Sequence, residues 1–235
     1  QVGLLSFEIG GIAVRKRVVI TGLGCITPLG CEVDTVWQNV LAGKSGAGKI
    51  THFDASLHKV QIAAEVKDFD AATWFGAREA RRMDRFTQFA LAASLQAVES
   101  ARLTIHAENC DRIGAVIGTG IGGIGTLYEQ TQVYFEKGPS RVSPFLVPMM
   151  LPDTAPGTVA IHLGIRGPNL AIVTACATGS NALGEAAEII RRGQADVMLT
   201  GGTEAAILPV AMAGLGVMNA LSQRNSEPER ASRPF

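Results

Sequence analysis

Four cysteines and four histidines are the first candidates in this 235-residue chain for a nucleophile, a base or a soft metal ligand. Cys25, Cys31, Cys110 and Cys176 form no C-x-x-C pair and no dense framework, so the sequence implies neither a metal site nor a disulfide scaffold, and a reducing, cytoplasmic setting is expected. Cys176 differs from the others in its setting. It lies in Leu170-Ala171-Ile172-Val173-Thr174-Ala175-Cys176-Ala177-Thr178-Gly179-Ser180-Asn181-Ala182, where a β-branched apolar run gives way to small residues. Downstream, Ala182, Leu183, Ala186, Ala187, Ile189 and Ile190 repeat at helical spacing until Arg191-Arg192-Gly193 supplies a cationic last turn and a stop. A thiol at such a strand-to-helix corner meets unpaired N–H groups and a positive dipole end, which favour thiolate and can steady an oxyanion. A small buried corner cysteine is the equally weighted reading of that position alone.

Acyl transfer from a cysteine normally calls for a base or cation beside it, often histidine. His52 and His58 flank Phe53-Asp54 in a polar loop, His106 precedes Ala107-Glu108-Asn109, and His162 lies on the helix before the Cys176 strand. Each reads as a surface or helix-packing residue, and none completes a site.

Two glycine motifs invite other chemistries. Gly118-Thr119-Gly120-Ile121-Gly122-Gly123 satisfies GxGxxG after a strand, but it is not in the first βαβ unit with an acidic residue about 20 positions on, so the dinucleotide reading is weak. Gly43-Lys44-Ser45-Gly46-Ala47-Gly48-Lys49-Ile50 falls short of a phosphate loop. Ile50 stands where Ser or Thr is needed, and the segment follows a helical stretch. Arg78, Arg81, Arg82 and Arg85 recur at helical spacing and would share one face, ordinarily a solvated one.

Alternating elements must position these residues. Continuous apolar runs predict buried strands over 18–21, 113–117, 170–174 and 197–200, and helical patterns span 33–41, 83–103, 126–135, 154–163 and 182–190. Such βα alternation predicts a mostly parallel sheet covered by helices. With 47% hydrophobic residues and a mean hydropathy of +0.22 the chain can bury a sizeable core. Its 21 basic and 21 acidic side chains cancel, which argues against nucleic acid or an anionic membrane as a partner. Residues 2–14 are apolar, but Glu8 interrupts them and Arg15-Lys16-Arg17 follows them, the wrong order for a secretory signal. Residues 1–13 are therefore read as an extension of unassigned role, and 14–235 as the folded domain. The uncharged run 205–223 contains Pro209, Gly214, Gly216 and Asn219, and reads as a buried loop and helix in preference to a membrane span.

Thr174-Ala175-Cys176-Ala177-Thr178-Gly179, arriving after Arg166-Gly167-Pro168, resembles the nucleophile segment of the β-ketoacyl-[acyl carrier protein] synthases. Other segments agree: Arg17-Val18-Val19-Ile20-Thr21-Gly22-Leu23-Gly24, the glycine turn at 118–123, Ser143-Pro144-Phe145, Gly201-Gly202-Thr203-Glu204, Ala220-Leu221-Ser222 and Ala231-Ser232-Arg233-Pro234-Phe235. The likeness runs from about Val14 to Phe235 and is greatest to the type II, chain-elongating members.

The resemblance implies a thiolase-like α/β fold, layered α/β/α/β/α, of which this chain is the N-terminal half, because the family's two catalytic histidines, its lysine and a second glycine-rich loop lie in a further segment. It implies decarboxylative condensation in fatty-acid biosynthesis, with Cys176 as the acyl-accepting nucleophile and its backbone N–H as one oxyanion donor. It implies an acyl carrier protein as partner, a homodimer, no metal, and no cofactor beyond the phosphopantetheine that carries the substrates. Ile121 matches a residue that gates the acyl tunnel, and Leu146 one that reaches the neighbouring subunit's tunnel. Leu215 stands where the family often has phenylalanine. Arg78, Arg81 and Arg82, with Arg141 as a weaker fourth, match carrier-docking cations. A polyketide-type ketosynthase shares these motifs. A non-catalytic chain-length-factor-like partner would lack the nucleophile, and a thiolase shares the architecture but not the TACATG segment.

Overall fold

The computed structural model describes residues 16–233. The proposed extension at 1–13 and the last two residues of the Ala231–Phe235 segment lie outside the described residues. Helix α1 (Val33–Leu41) leads into a short antiparallel pair, β1 (Ala47–Lys49) and β2 (Ile62–Ala64), with Gly48 opposite Ala63. Helices α2 (Ala71–Phe75), α3 (Ala77–Ala80) and α4 (Arg85–Ser100) follow, then β3 (Ile113–Gly118) and α5 (Ile124–Lys137). Helices α6 (Leu146–Met150) and α7 (Thr154–Leu163) precede β4 (Asn169–Leu170), α8 (Thr178–Arg191), β5 (Val197–Gly202) and α9 (Pro209–Val217).

The main sheet is parallel in the order β4-β3-β5, with Val116 opposite both Leu170 and Thr200. Every residue of β3 is buried, as its unbroken apolar run predicts for a central parallel strand. Its alternation divides the core. Ile113, Ala115 and Ile117 pack with Phe86, Leu91 and Val159 from α4 and α7, whereas Val116 meets Ala182, Ala186 and Ile189 of α8. The result is a sheet between two helical layers. Gly118, at the end of β3, lets the start of α8 come close, since a Cβ there would stand 2.1 Å from the Thr178 methyl.

Three expectations need correction. The run 18–21 is not a strand: residues 16–26 carry no ladder, and Val19 and Ile20 are 64% and 74% exposed. Strands 113–118 and 197–202 find neighbours, but this run pairs with none, and the segment directly after it, 22–25, lies along α4. The Leu23 N–H donates to Ser100 Oγ, the Cys25 N–H donates to Gln96 Oε1, and a Cβ on Gly24 would fall 1.9 Å from the Ala93 carbonyl. The strand expected at 170–174 is a ladder only at 169–170. The chain stays beside β3 as far as Ile172, whose carbonyl accepts the Thr119 N–H, before it turns. The helix expected from 83 begins at 85, because Asp84 caps it by accepting the Phe86 N–H. Its second oxygen accepts the Thr126 N–H at 2.8 Å and hydroxyl at 2.7 Å, tying the start of α4 to the start of α5.

Candidate active site

The Cys176 corner is a tight turn of Ala175–Ala177 directly before α8. Ala175 has φ +50, a left-handed conformation that costs a non-glycine residue about 1–3 kcal/mol and survives only where its surroundings enforce it. Thr178 is part of that enforcement. Its buried hydroxyl accepts the Thr174 N–H at 2.9 Å and donates to the Ala175 carbonyl at 2.6 Å, while Asn181 Nδ2 donates to Thr174 Oγ1. The turn lifts Cys176 into exposure at the mouth of α8. Its N–H has no acceptor among the described residues, so a donor is available where a thioester oxygen would acquire charge.

Next to this elbow lies the glycine turn between β3 and α5. Thr119 Oγ1 donates to Glu204 Oε1 at 3.2 Å, and the N–H groups of Gly120 and Ile121 donate to Glu204 Oε2 at 2.8 and 3.1 Å. Thr119 Oγ1 accepts the Gly122 N–H, and Met150 O accepts that of Gly123. The turn occupies the strand–turn–helix position of a dinucleotide fingerprint, yet its N–H groups are already engaged by the protein. A pyrophosphate would find no donors there. The other glycine segment, 43–49, runs from the end of α1 into β1, which is no phosphate-loop context.

The predicted pocket residues lie on three separate segments. Ile121 is 48% exposed in the glycine turn, and a Cβ on its neighbour Gly120 would be 3.8 Å from both the Cα and the carbonyl oxygen of Ala175. Leu146 opens α6, which packs on α5 and delivers the Met149 and Met150 carbonyls to Gly123. Leu215 lies on α9, whose buried Met212 packs with Val60, Ile62 and Ala231; no described hydrogen bond links Leu215 to Cys176.

The arginine row is not one helical face. Arg78 lies in α3, Arg81 and Arg82 in the turn before α4, and all three are exposed, as is Arg141. Arg82 stacks over the Phe145 ring at 5.3 Å, which joins it to the residue that precedes Leu146 and α6. Arg85 turns inward. It donates to the Phe69 carbonyl and lies over the rings of Phe69 and Phe89 at 4.8 and 4.7 Å, and burial lowers its pKa.

The histidines belong to other neighbourhoods. His52 Nδ1 is 3.6 Å from the buried Glu65, while His58 and His162 contact Phe53 and Phe75. Burial works to raise the Glu65 pKa, but donors from Thr51 and His52 outweigh it and the net shift is downward. No group of three or more metal-ligating side chains occurs among the described residues. Glu204 and Thr178 are site-building residues to which the sequence assigned no role, although Thr178 lies in the Thr174–Gly179 segment and Glu204 ends the Gly201–Glu204 segment, both of which carry the resemblance.

Over 94% of its length the chain is 52% identical to 3-oxoacyl-[acyl-carrier-protein] synthase 2 of Synechocystis sp., and 51% identical to the protein of that name in Staphylococcus aureus. In each case it spans 53% of the relative. Among solved structures, a β-ketoacyl synthase from Burkholderia phymatum superposes with a TM-score of 0.83 at 29% identity, covering 94% of this chain and 54% of that one. A type II polyketide ketosynthase solved with its acyl-carrier protein superposes at 0.75 with 25% identity, over 88% of this chain and 56% of that one. These neighbours share the thiolase-like α/β fold. Residues 15–235 match the family described as "Beta-ketoacyl synthase, N-terminal domain", and with an exposed cysteine on a strained elbow before α8, the chain belongs to that family.

Proposed function

We propose that the protein carrying this chain is a 3-oxoacyl-[acyl-carrier-protein] synthase of fatty-acid biosynthesis, with Cys176 as its acyl acceptor. The observation that carries the reading is the Cys176 elbow: an exposed thiol, a free backbone N–H beside it, and a left-handed Ala175 latched by Thr178. The Cys176 sulfur attacks the thioester carbonyl of an acyl carrier, and the carrier's phosphopantetheine thiol leaves with the proton. Malonyl carrier then loses carbon dioxide, and its enolate-like carbon attacks the acyl-enzyme carbonyl. A carbon–carbon bond forms and the Cys176 thiolate departs. Each addition places charge on a carbonyl oxygen, where one preorganised donor is worth about 2.7–4 kcal/mol. On this reading the histidines and the second oxyanion donor come from the part of the enzyme beyond this chain, and no resident cofactor is needed.

Carrier docking is assigned to Arg78, Arg81, Arg82 and Arg141. In support, all four are exposed, and Arg82 stacks on Phe145 near the predicted pocket. Guanidinium groups suit a phosphate and an acidic helix. A homodimer is the proposed assembly. β4 is an edge strand, and its Leu170 and the nearby Val173 are 47% and 53% exposed, a surface suited to burial between copies. A cytoplasmic location is proposed, supported by four unpaired cysteines. No helix among the described residues is long and apolar enough to cross a membrane. The type II polyketide ketosynthase is 25% identical to this chain, against 52% for the Synechocystis synthase.

Incubating the full-length enzyme with an acyl carrier and mapping the adduct by mass spectrometry tests the reading. An acyl group on Cys176 supports it, and an adduct elsewhere or none at all overturns it. Replacing Arg81 and Arg82 by Glu should raise KM for carrier-linked substrates; an unchanged KM removes the docking assignment.

A further inference from the structure

We infer that Glu204 is a positioning residue for Cys176: its carboxylate clamps the Thr119–Ile121 turn against the Ala175 elbow, and so keeps the nucleophile in register with the acyl pocket. The inference rests on the acyl-transfer reading of Cys176 and adds a residue to it.

Glu204 stands where three parts of the site converge. Its root is rigid: Gly118 and Gly202 are the last pair of the β3–β5 ladder, and the Thr203 N–H donates to the Gly118 carbonyl at 2.9 Å. The Thr203 hydroxyl also donates to the Phe86 carbonyl of α4 at 2.6 Å. Gly202 presses on the start of α8, where a Cβ would be 3.0 Å from the Gly179 Cα. From that root the carboxylate reaches across to accept one hydroxyl and two consecutive backbone N–H groups, at 3.2, 2.8 and 3.1 Å. Hydrogen bonds to an ionised acceptor are shorter and stronger than neutral ones. Gly120 must also lie close to Glu204, because a Cβ there would be 2.8 Å from Oε2, and the same Cβ would be 3.8 Å from the Ala175 Cα. The turn therefore lies about a methyl group's width from the left-handed residue next to Cys176, and the Thr119 N–H, donating to the Ile172 carbonyl, bonds it to the chain leading into the elbow.

That contact supplies what the Thr178 latch does not. Thr178 holds the elbow from the α8 side, and a strained residue keeps its conformation only when it is over-determined. Glu204 supports the opposite side through the turn. The clamp also borders a cleft of about 750 Å³ lined by Arg81, Met83, Thr126 and Leu208, so the carboxylate is held by its hydrogen bonds and not by close packing on that side. Removing the charge should therefore loosen the turn without emptying the core.

The test measures Cys176 acylation by acyl carrier in the full-length enzyme, with wild type, Glu204→Ala, Glu204→Gln and Thr119→Val compared at saturating and limiting carrier. Glu204→Ala is expected to lower the saturated acylation rate about tenfold or more while KM stays within about twofold, because the docking arginines are untouched. Glu204→Gln keeps the shape and one accepting oxygen but turns an N–H toward the turn's own donors, so partial recovery is expected. Thr119→Val, which removes one donor, should show the same split more weakly. A wild-type rate in the folded Gln and Ala variants, or a rise in KM at constant saturated rate, overturns the inference and leaves the acyl-transfer reading standing. Absence of acylation in the wild type overturns the reading itself, and the inference with it.

Discussion

Cys176 and Cys110 are both free thiols beside turns, and the fold treats them in opposite ways. Cys110 is buried at the foot of β3, where Arg166 donates to its sulfur at 3.0 Å and its thiol faces the Ala107 carbonyl. Arg166 is held in turn by Asp111 at 2.8 Å. Cys176 is exposed, its elbow is strained, and its N–H is unpaired among the described residues. One sulfur is satisfied by its surroundings and the other is presented by them. Reactivity in this chain is thus a matter of what the backbone leaves unspent around a cysteine. Cys25 and Cys31 form a third case: burial, foremost, and neighbouring charges raise both pKa values, so their thiolates are scarce near neutral pH.

The sharpest way to break this contrast is to exchange the roles by substitution. In the full-length enzyme, Cys176→Ala should lower acyl transfer by at least roughly a thousandfold, as removal of a nucleophile does, whereas Cys110→Ala should leave kcat within about twofold. Comparable losses in both would end the distinction. A smaller effect is expected one turn away. Thr178→Val removes the hydroxyl that both accepts the Thr174 N–H and donates to Ala175, and should reduce acylation about a hundredfold through misplacement while Cys176 itself is intact. A wild-type rate would mean that the elbow holds its shape without the latch.

Alkylation sharpens the comparison without mutation. Iodoacetamide at pH 7.5 should label Cys176 ahead of Cys25, Cys31 and Cys110, read by peptide mass spectrometry. Labelling of Cys25 and Cys31 should climb only at more alkaline pH than an ordinary thiol requires, because their raised pKa values delay ionisation. Equal labelling of all four at neutral pH contradicts the reading. The smallest effect belongs to the scaffold. Arg166→Met should lower the melting temperature only slightly, since the Asp111 pair is exposed, with little change in acylation. A large loss of activity would make the Cys110 region part of the site.

The fold was legible where order is local. The limits of α1 and α7 and the central strand β3 follow from periodicity and unbroken apolar runs, and the GPN turn and the TACATG segment placed the corner of Cys176. The arginine row misled because spacing presumes one continuous helix, and the Asp84 cap divides it. Arg85, on the helix side of that cap, is drawn to Phe69 and Phe89, whereas Arg82, just before it, reaches Phe145. The run 18–21 misled because an apolar stretch becomes a strand only when a neighbour offers its backbone; none pairs with it here, and directly after it the chain lies on α4, close enough to demand glycine at 22 and 24.

Sequence by itself determined the family, the candidate nucleophile and the alternation of elements, since each is written in residues adjacent along the chain. Tertiary structure alone decided how the nucleophile is held. Glu204 is 83–85 positions from the three residues it clamps, and no periodicity records a hydrogen bond made between the ends of two neighbouring parallel strands. The left-handed Ala175 is also invisible in sequence, because alanine carries no signal for that conformation. What enforces it is the Thr178 hydroxyl, which joins Thr174 and Ala175 across the elbow.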